Sequence, residues 1–341
     1  MRVAVYYNNK DVRIEEKPIP EINDDELLVK VMASGICGTD VMEWYRIKKA
    51  PLVLGHEISG VITQAGKNIK NFKIGDRVFV SHHVPCMKCH YCLNNHHTAC
   101  ETLHKTNFEP GGFSEYIRIP KINVEFGTFK LPENVSFDEG TFIEPLGTIV
   151  RAQRLAGLRE NQTLLIIGSG ISGLLHVKLA KSKGVKKIIA VDVNEYRLNA
   201  AKKFGADFAL NANEDIISKI KKVNEDRLAD VVVVCTGALT AAKQALQCID
   251  KGGTIMFFAV PKPDEKLEIP VNDFWKNQIK VMTSYAAAPD DLKESLALIK
   301  SKKINLNDMI THRLKFNEIQ EGFQLVAEAK DSIKVIVEPQ K

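Results

Sequence analysis

The feature that most restricts the fold of this chain is Gly168-Ser169-Gly170-Ile171-Ser172-Gly173, a run of the form G-x-G-x-x-G. It is wedged between the apolar stretch Leu164–Ile167 and a stretch with helical spacing, Leu174–Lys183. The glycines alone say little; a strand before them and a helix after them give the run its meaning. The first glycine permits a tight turn, the second lets main chain approach a pyrophosphate, and the third lets helix and strand pack closely. The helix N-terminus then favours phosphate charge. Lys187–Val191 reads as the next strand, and Asp192 closes it 19 residues after Gly173. A carboxylate there can accept hydrogen bonds from both ribose hydroxyls of NAD and would repel the 2′-phosphate of NADP. Arg197 reads as a helix-surface residue or, alternatively, as a group that could meet a phosphate. The candidate dinucleotide contacts here are Gly168, Gly170, Ile171, Ser172, Gly173, Asp192 and Arg197.

The alternation continues downstream. Glu195–Phe204 and Ala241–Ile249 have helical patterns, and Val231–Cys235, Thr254–Phe258 and Lys280–Ser284 have strand patterns. Repeated βα units predict a doubly wound parallel sheet, an α/β fold. Residues 1 to about 145 differ. Short apolar runs at Val3–Tyr7, Leu27–Val31, Gly60–Thr63 and Arg77–Val80, separated by Pro, Gly and Asp, predict a barrel-like β unit. After residue 290 a helix (Leu292–Lys300) and a closing strand (Lys334–Glu338) are expected. A length of 341 residues is enough for two domains, each with its own core.

Four of the seven cysteines crowd into the loop-like insert 81–108, as Cys86, Cys89, Cys92 and Cys100, a C-x2-C-x2-C-x7-C pattern. In a reducing compartment such spacing reads as metal binding. Four thiolates suit tetrahedral zinc and leave no open position, so this site would be structural. His90, His96 and His97 lie in or beside the loop, as competing ligands or as surface residues. A second set is scattered. Cys37 lies in Gly35-Ile36-Cys37-Gly38-Thr39-Asp40, His56 and Glu57 follow Gly55, and Glu144 lies in Phe142-Ile143-Glu144-Pro145-Leu146. One thiolate, one imidazole and one or two carboxylates could form a zinc site with a free position; such residues taken singly are as readily core.

The charge distribution narrows the partners. Forty-seven basic residues are interleaved with 42 acidic ones, for a net charge of +5. That mixing describes a solvated surface and excludes a nucleic-acid face. MRVAVYYNNK has no apolar core of a signal peptide, and no uninterrupted apolar run approaches the ~18 residues of a membrane span. A cytoplasmic protein without membrane partners is expected.

Taken in order, GICGTD, GHE, the four-cysteine loop, Gly111–Tyr116 (GGFSEY), the EPL segment and the nucleotide motif resemble the zinc-containing medium-chain dehydrogenase/reductase family over nearly the whole chain. The resemblance implies a GroES-like catalytic domain (1–147 and 290–341, with the structural-zinc loop 81–108) around a Rossmann domain (148–289). It implies Cys37, His56 and Glu57 as catalytic zinc ligands, with Glu144 beside the zinc as a ligand or hydrogen-bonded to its water. Thr39 matches the family's hydroxyl residue that handles the reacting oxygen's proton. Val234–Gly237 and Phe258–Val260 resemble the stretches lining the nicotinamide pocket, which adds Thr236, Gly237, Ala259 and Val260 to the cofactor contacts. The family chemistry is hydride transfer from an alcohol to NAD, with zinc lowering the pKa of the hydroxyl in a water-poor cleft.

Classical alcohol dehydrogenases carry a cysteine where Glu144 stands, so the match is to the polyol (sorbitol-like) and threonine dehydrogenase branch. The leading expectation is oxidation of a secondary alcohol on a small polar substrate, with NAD and two zinc ions, one catalytic and one structural, in a dimer or tetramer. The rivals are an L-threonine 3-dehydrogenase and, from another class, a cofactor- and zinc-binding protein without turnover. A zinc-free quinone reductase would not need this ligand set. Two positions stand out. Met42 replaces a histidine that relays protons in many relatives, and a thioether carries none. His83 falls where threonine dehydrogenases often have an active-site histidine.

Overall fold

Short amphipathic runs in the first third of the chain become eight strands: β1 (Arg2–Asn8), β2 (Asp11–Glu16), β3 (Leu27–Gly35), β4 (Leu52–Val53), β5 (Glu57–Ala65), β6 (Arg77–Val80), β7 (Tyr116–Ile119) and β8 (Thr128–Lys130). The computed structural model describes all residues 1–341. The nucleotide region supplies β9 (Thr163–Ile167), β10 (Lys187–Asp192), β11 (Phe208–Asn211), β12 (Ala229–Val234), β13 (Ile249–Phe257) and β14 (Lys280–Thr283), and the C-terminal region adds β15 (Ile310–Lys315) and β16 (Lys334–Glu338). Two compact units result, Met1–Gly147 with Ala286–Lys341, and Thr148–Tyr285.

In the first unit the main sheet runs β15-β16-β3-β5-β6-β8, with β7 also paired to β3, and a smaller sheet runs β2-β1-β4. Alternate residues of the paired strands point inward, so Val29, Val31, Ile58, Ile62, Val78 and Val80 close one core. Each such side chain contributes about 1.5–3 kcal/mol by leaving water. The register matters for the site. Gly35 at the end of β3 stands opposite Glu57 at the start of β5 and opposite Ile336 of β16. The ends of three neighbouring strands thereby collect Gly35, Glu57 and Lys334, from positions 35, 57 and 334 of the chain.

The second unit is a six-stranded parallel sheet in the order β11-β10-β9-β12-β13-β14. Strands covered on both faces read as continuous apolar runs, as in Leu164–Ile167 and Val231–Val234. The order reverses between β9 and β12, and that switch point is where open sheets of this kind take ligands. The helix Glu195–Phe204 has the expected bounds. Asn194 accepts from the amides of Tyr196 and Arg197 at its start, and Gly205 ends it with φ 116°. One expectation is corrected. Ile249 is not the end of a helix, which stops at Gln247; it opens β13. Gly252-Gly253 looks like a break in the sequence, but the strand passes through it with a register shift, Ala229 pairing Ile249 and Val231 pairing Thr254. No helix is long and apolar enough to cross a membrane.

Candidate active site and metal centres

Cys37 follows β3 in a tight turn, His56 precedes β5, and Glu57 is its first residue. Their ligand atoms lie within 4.8 Å of one another. The turn is closed by Asp40, which gives its amide to the Cys37 carbonyl and whose Oδ2 accepts the Cys37 amide, each at 3.0 Å. Asp40 is fully buried, and its Oδ1 sits 3.4 Å from His56 Nδ1, an ion-pair distance without hydrogen-bond alignment. With Nδ1 facing the buried carboxylate, Nε2 is the ring nitrogen left for a ligand. Burial works against charge on both groups. The mutual attraction, with Arg46 and the Cys37 amide, still holds Asp40 below its usual range, and Asp40 and Cys37 hold His56 well above 6.5.

Glu57 is 2% exposed and pairs through Oε2 with Lys334, which is 1% exposed. The ammonium also lies 4.8 Å from the centroid of the Phe142 ring. A Cβ on residue 35 would come within 2.4 Å of both Glu57 Oε2 and Lys334 Nζ, so the first glycine of GICGTD makes room for the pair. Glu144 is buried near this group but is not one of the three close ligands. Burial, reinforced by Glu57 and Asp40, pushes its carboxyl up to about 7 against the pull of His56 and Lys334.

Thr39 is exposed, its amide 3.5 Å from Cys37 Sγ. His82 packs its ring 4.8 Å from that of His56 and 3.8 Å from that of His83. Burial, with neighbouring positive charge, keeps both neutral, His83 being pushed down to about 3. Sequence reading missed Asp40, Lys334, Arg46 and His82. Asp40 was readable in principle, since it sits in the same motif as Cys37; Lys334 was not, since only the sheet register brings it to Glu57.

The insert folds around its cysteines. Cys86, Cys89, Cys92 and Cys100 have sulfurs within 4.8 Å of one another, and none is in a disulfide. Amides are aimed at the sulfurs: Cys89 N at Cys86 Sγ (3.3 Å) and Cys86 N at Cys100 Sγ (3.4 Å). Burial raises the Cys100 thiol, but donors from Cys86, Leu103 and Thr102 outweigh it and bring it to about 6. His90 and His96 are exposed, and the sulfur group contains no histidine. Four sulfurs in a closed group fit a structural zinc, and the mixed group at Cys37 fits a zinc with a free position.

In the second unit Gly168 turns with φ 96°, and Gly170 caps the helix Ile171–Ser182, which begins with Ile171 and Ser172. A Cβ on Gly173 would stand 1.9 Å from the Gly168 carbonyl oxygen, which is the close packing that demands glycine. Asp192 accepts the Ser169 amide on Oδ2 at 2.7 Å and the Asn194 amide on Oδ1 at 2.9 Å, with Arg197 Nη1 3.9 Å away. The carboxylate is therefore fixed beside the glycine turn. Thr236 and Gly237 follow β12, and Ala259 and Val260 follow β13; a Cβ on Gly237 would lie 2.9 Å from the Val260 oxygen. The first segment leaves β12 at the switch point, and the second leaves β13, the strand beside it.

Residues 172–301 match the family described as zinc-binding dehydrogenase, and residues 23–132 match the alcohol dehydrogenase GroES-like domain. The chain is 32% identical over 354 residues to a sorbitol dehydrogenase of Bacillus subtilis, covering 100% of this chain and 98% of the relative. It is 32% identical over 340 residues to the "Probable D-xylulose reductase A" of Aspergillus clavatus, covering 96% and 93%. Among solved structures it is similar to galactitol-1-phosphate dehydrogenase from Escherichia coli, with a TM-score of 0.88 and 28% identity over 99% of this chain and 100% of that one.

Proposed function

The chain belongs to the zinc-containing medium-chain dehydrogenase/reductase family, in its polyol branch, and on that premise we propose how its residues carry out NAD-linked oxidation of a secondary alcohol on a small polyol. The carbinol C–H leaves as hydride to the nicotinamide, the O–H leaves as a proton, and the product is a ketone. The relatives cited above are named for sorbitol, D-xylulose and galactitol 1-phosphate, and none of these names points to threonine, so that alternative is set aside.

Cys37, His56 and Glu57 would hold zinc, which would supply a Lewis acid for the substrate hydroxyl, and the glycine turn would hold NAD, which would supply the hydride acceptor. The protein's own groups prepare both. Asp40 fixes the His56 ring, and Lys334 fixes the Glu57 carboxylate. Thr39 offers the hydroxyl that takes the proton of the reacting oxygen. Met42 cannot pass it on. Glu144, with a carboxyl near pH 7, can hold or release a proton from a buried position. Asp192, aligned by two amides, meets the ribose hydroxyls, while Gly168, Gly170 and Gly173 leave room for the pyrophosphate. Four thiolates from Cys86, Cys89, Cys92 and Cys100 would hold a second, structural zinc.

A homo-oligomer is the further reading. The sheet of the second unit ends on β14, paired on one side only. Around this edge Val271 is 70% and Trp275 77% exposed, and Val281 and Tyr285 are exposed as well. An unprotected apolar edge is what proteins cover by pairing. A cytoplasmic location, with no membrane or nucleic-acid partner, agrees with the interleaved charge.

The observation that carries the reading is the convergence of Cys37 with the adjacent pair His56 and Glu57, a thiol, an imidazole and a carboxylate, to within 4.8 Å. Its test is NAD reduction by the zinc-loaded protein against polyols, sugars, threonine and simple secondary alcohols. Turnover concentrated in the polyols is expected; turnover of threonine alone would replace the assignment.

A further inference from the structure

Beside Thr39 the short helix Glu43–Arg46 and the turn Ile47–Lys49 gather positive charge. Arg46 gives Nε to the Thr39 carbonyl at 2.9 Å, and its Nη2 lies 3.5 Å from Thr39 Oγ1 and 3.8 Å from Asp40 Oδ1. Those contacts use one edge of a guanidinium whose side chain is 16% exposed. Nη1 is left with no protein partner. Lys49 makes no ion pair. Its Nζ lies 5.1 Å from the centroid of the Tyr45 ring, which Arg46 Cζ also approaches, at 4.9 Å.

Two cations on one aromatic platform repel each other, and little nearby offsets them. Asp40 is the one carboxylate close to Arg46, and its charge is shared with His56 and the Cys37 amide. Glu43, the acid of the same helix, is turned to the Asn9 amide at 3.1 Å. The charge also faces inward, for Arg46 and Lys49 both act on His83, and Arg46 acts on His82. An unpartnered guanidinium nitrogen with the Lys49 ammonium nearby, on a side chain that touches Thr39, is a receptor for a planar or tetrahedral anion.

We propose that Arg46 and Lys49 anchor an anionic group on the substrate, so that the preferred substrate is a polyol bearing a phosphate monoester or a carboxylate. This rests on the polyol reading above and adds the charge of the substrate. The redox step is unaltered: hydride passes to the nicotinamide, a proton is released, and the anionic group leaves unchanged.

The experiment compares kcat/KM of the full-length, zinc-loaded enzyme for a hexitol, its monophosphate and the aldonate of the same length. An anionic substrate should exceed the neutral hexitol by at least about tenfold, the scale of one hydrogen bond to a charged group. The advantage should shrink as salt is added. Lys49→Gln, at an exposed side chain, should cut the anionic-to-neutral ratio about threefold, and Arg46→Gln should bring it near one. Inorganic phosphate should compete with the neutral hexitol. Preference for the monophosphate assigns a phosphate ester, and preference for the aldonate assigns a sugar acid. A neutral hexitol used as well as both anions overturns the proposal and leaves polyol oxidation standing. Turnover of none of the three overturns both.

Discussion

Replacing Lys334 with methionine should destabilise the first unit severely, and by an amount that can be worked out. Lys334 and Glu57 are 1% and 2% exposed, so neither charge has access to water. Removing one partner of such a pair leaves the other buried and uncompensated, at a cost of about 3–5 kcal/mol. For a unit of roughly 200 residues each kcal/mol moves the melting temperature by about 2–4 °C. Metal-free Lys334→Met should therefore melt about 6–20 °C below the wild type, read by circular dichroism in the presence of a chelator. The double variant Glu57→Gln/Lys334→Met removes both charges and should recover more than half of the loss. Zinc should protect Lys334→Met more than it protects the wild type, because a cation among Cys37, His56 and Glu57 gives the orphaned carboxylate a partner. A metal-free single variant within about 2 °C of the wild type, or a double variant no better than the single one, would refute this reasoning.

Asp192→Ala should narrow the preference for NAD over NADP, since it removes both the ribose acceptor and the repulsion of a 2′-phosphate; kcat/KM with each cofactor measures it, and a wild type that favours NADP contradicts the role. Zinc binding at Cys37 should weaken in acid. His56 holds its proton well above 6.5 without metal, and zinc takes only the neutral ring, so below that raised pKa affinity falls by about tenfold per pH unit for this one proton. Titration with a competing chelator across pH 6–9 checks the slope, and a flat profile contradicts it. Cys100→Ser should lower thermal stability and lose one zinc while the zinc at Cys37 remains, because the four-sulfur loop folds around its metal; elemental analysis with a thermal melt distinguishes the two sites.

Much of this was legible in the residues. The glycine run, flanked by strand and helix, led directly to the turn in which a Cβ on Gly173 would strike the Gly168 carbonyl. The helix Glu195–Phe204 and the strand Lys334–Glu338 have the bounds their patterns suggest, since Asn194 caps the one and the continuous apolar run Val335–Val337 marks the other. Local patterns were weaker where tertiary contacts decide. β4 and β8 are two and three residues long and exist only because β1 and β6 pair with them. β13 runs through Gly252-Gly253 because its neighbour β12 carries it.

The site divides in the same way. Spacing named the four loop cysteines, and the family resemblance named Cys37, His56 and Glu57. The groups that orient them were harder to see. Asp40 acts through a turn that the letters GTD only suggest, and Lys334 reaches Glu57 across 277 residues through the pairing of β16 with β3 and β3 with β5. Glu144 was named from its segment, but its elevated carboxyl depends on burial and on charges that only the folded chain assembles.

The most direct measurement counts zinc and turnover together in Cys37→Ser. The wild type should contain two zinc ions per chain and reduce NAD with a polyol. Cys37→Ser should keep the four-cysteine zinc and most of its thermal stability, contain close to one zinc, and lose polyol oxidation by a factor of at least about a thousand, as expected when a metal that polarises the reacting oxygen is gone. A variant with one zinc and undiminished polyol oxidation would contradict the account, because the metal at Cys37, His56 and Glu57 would then have no part in the reaction.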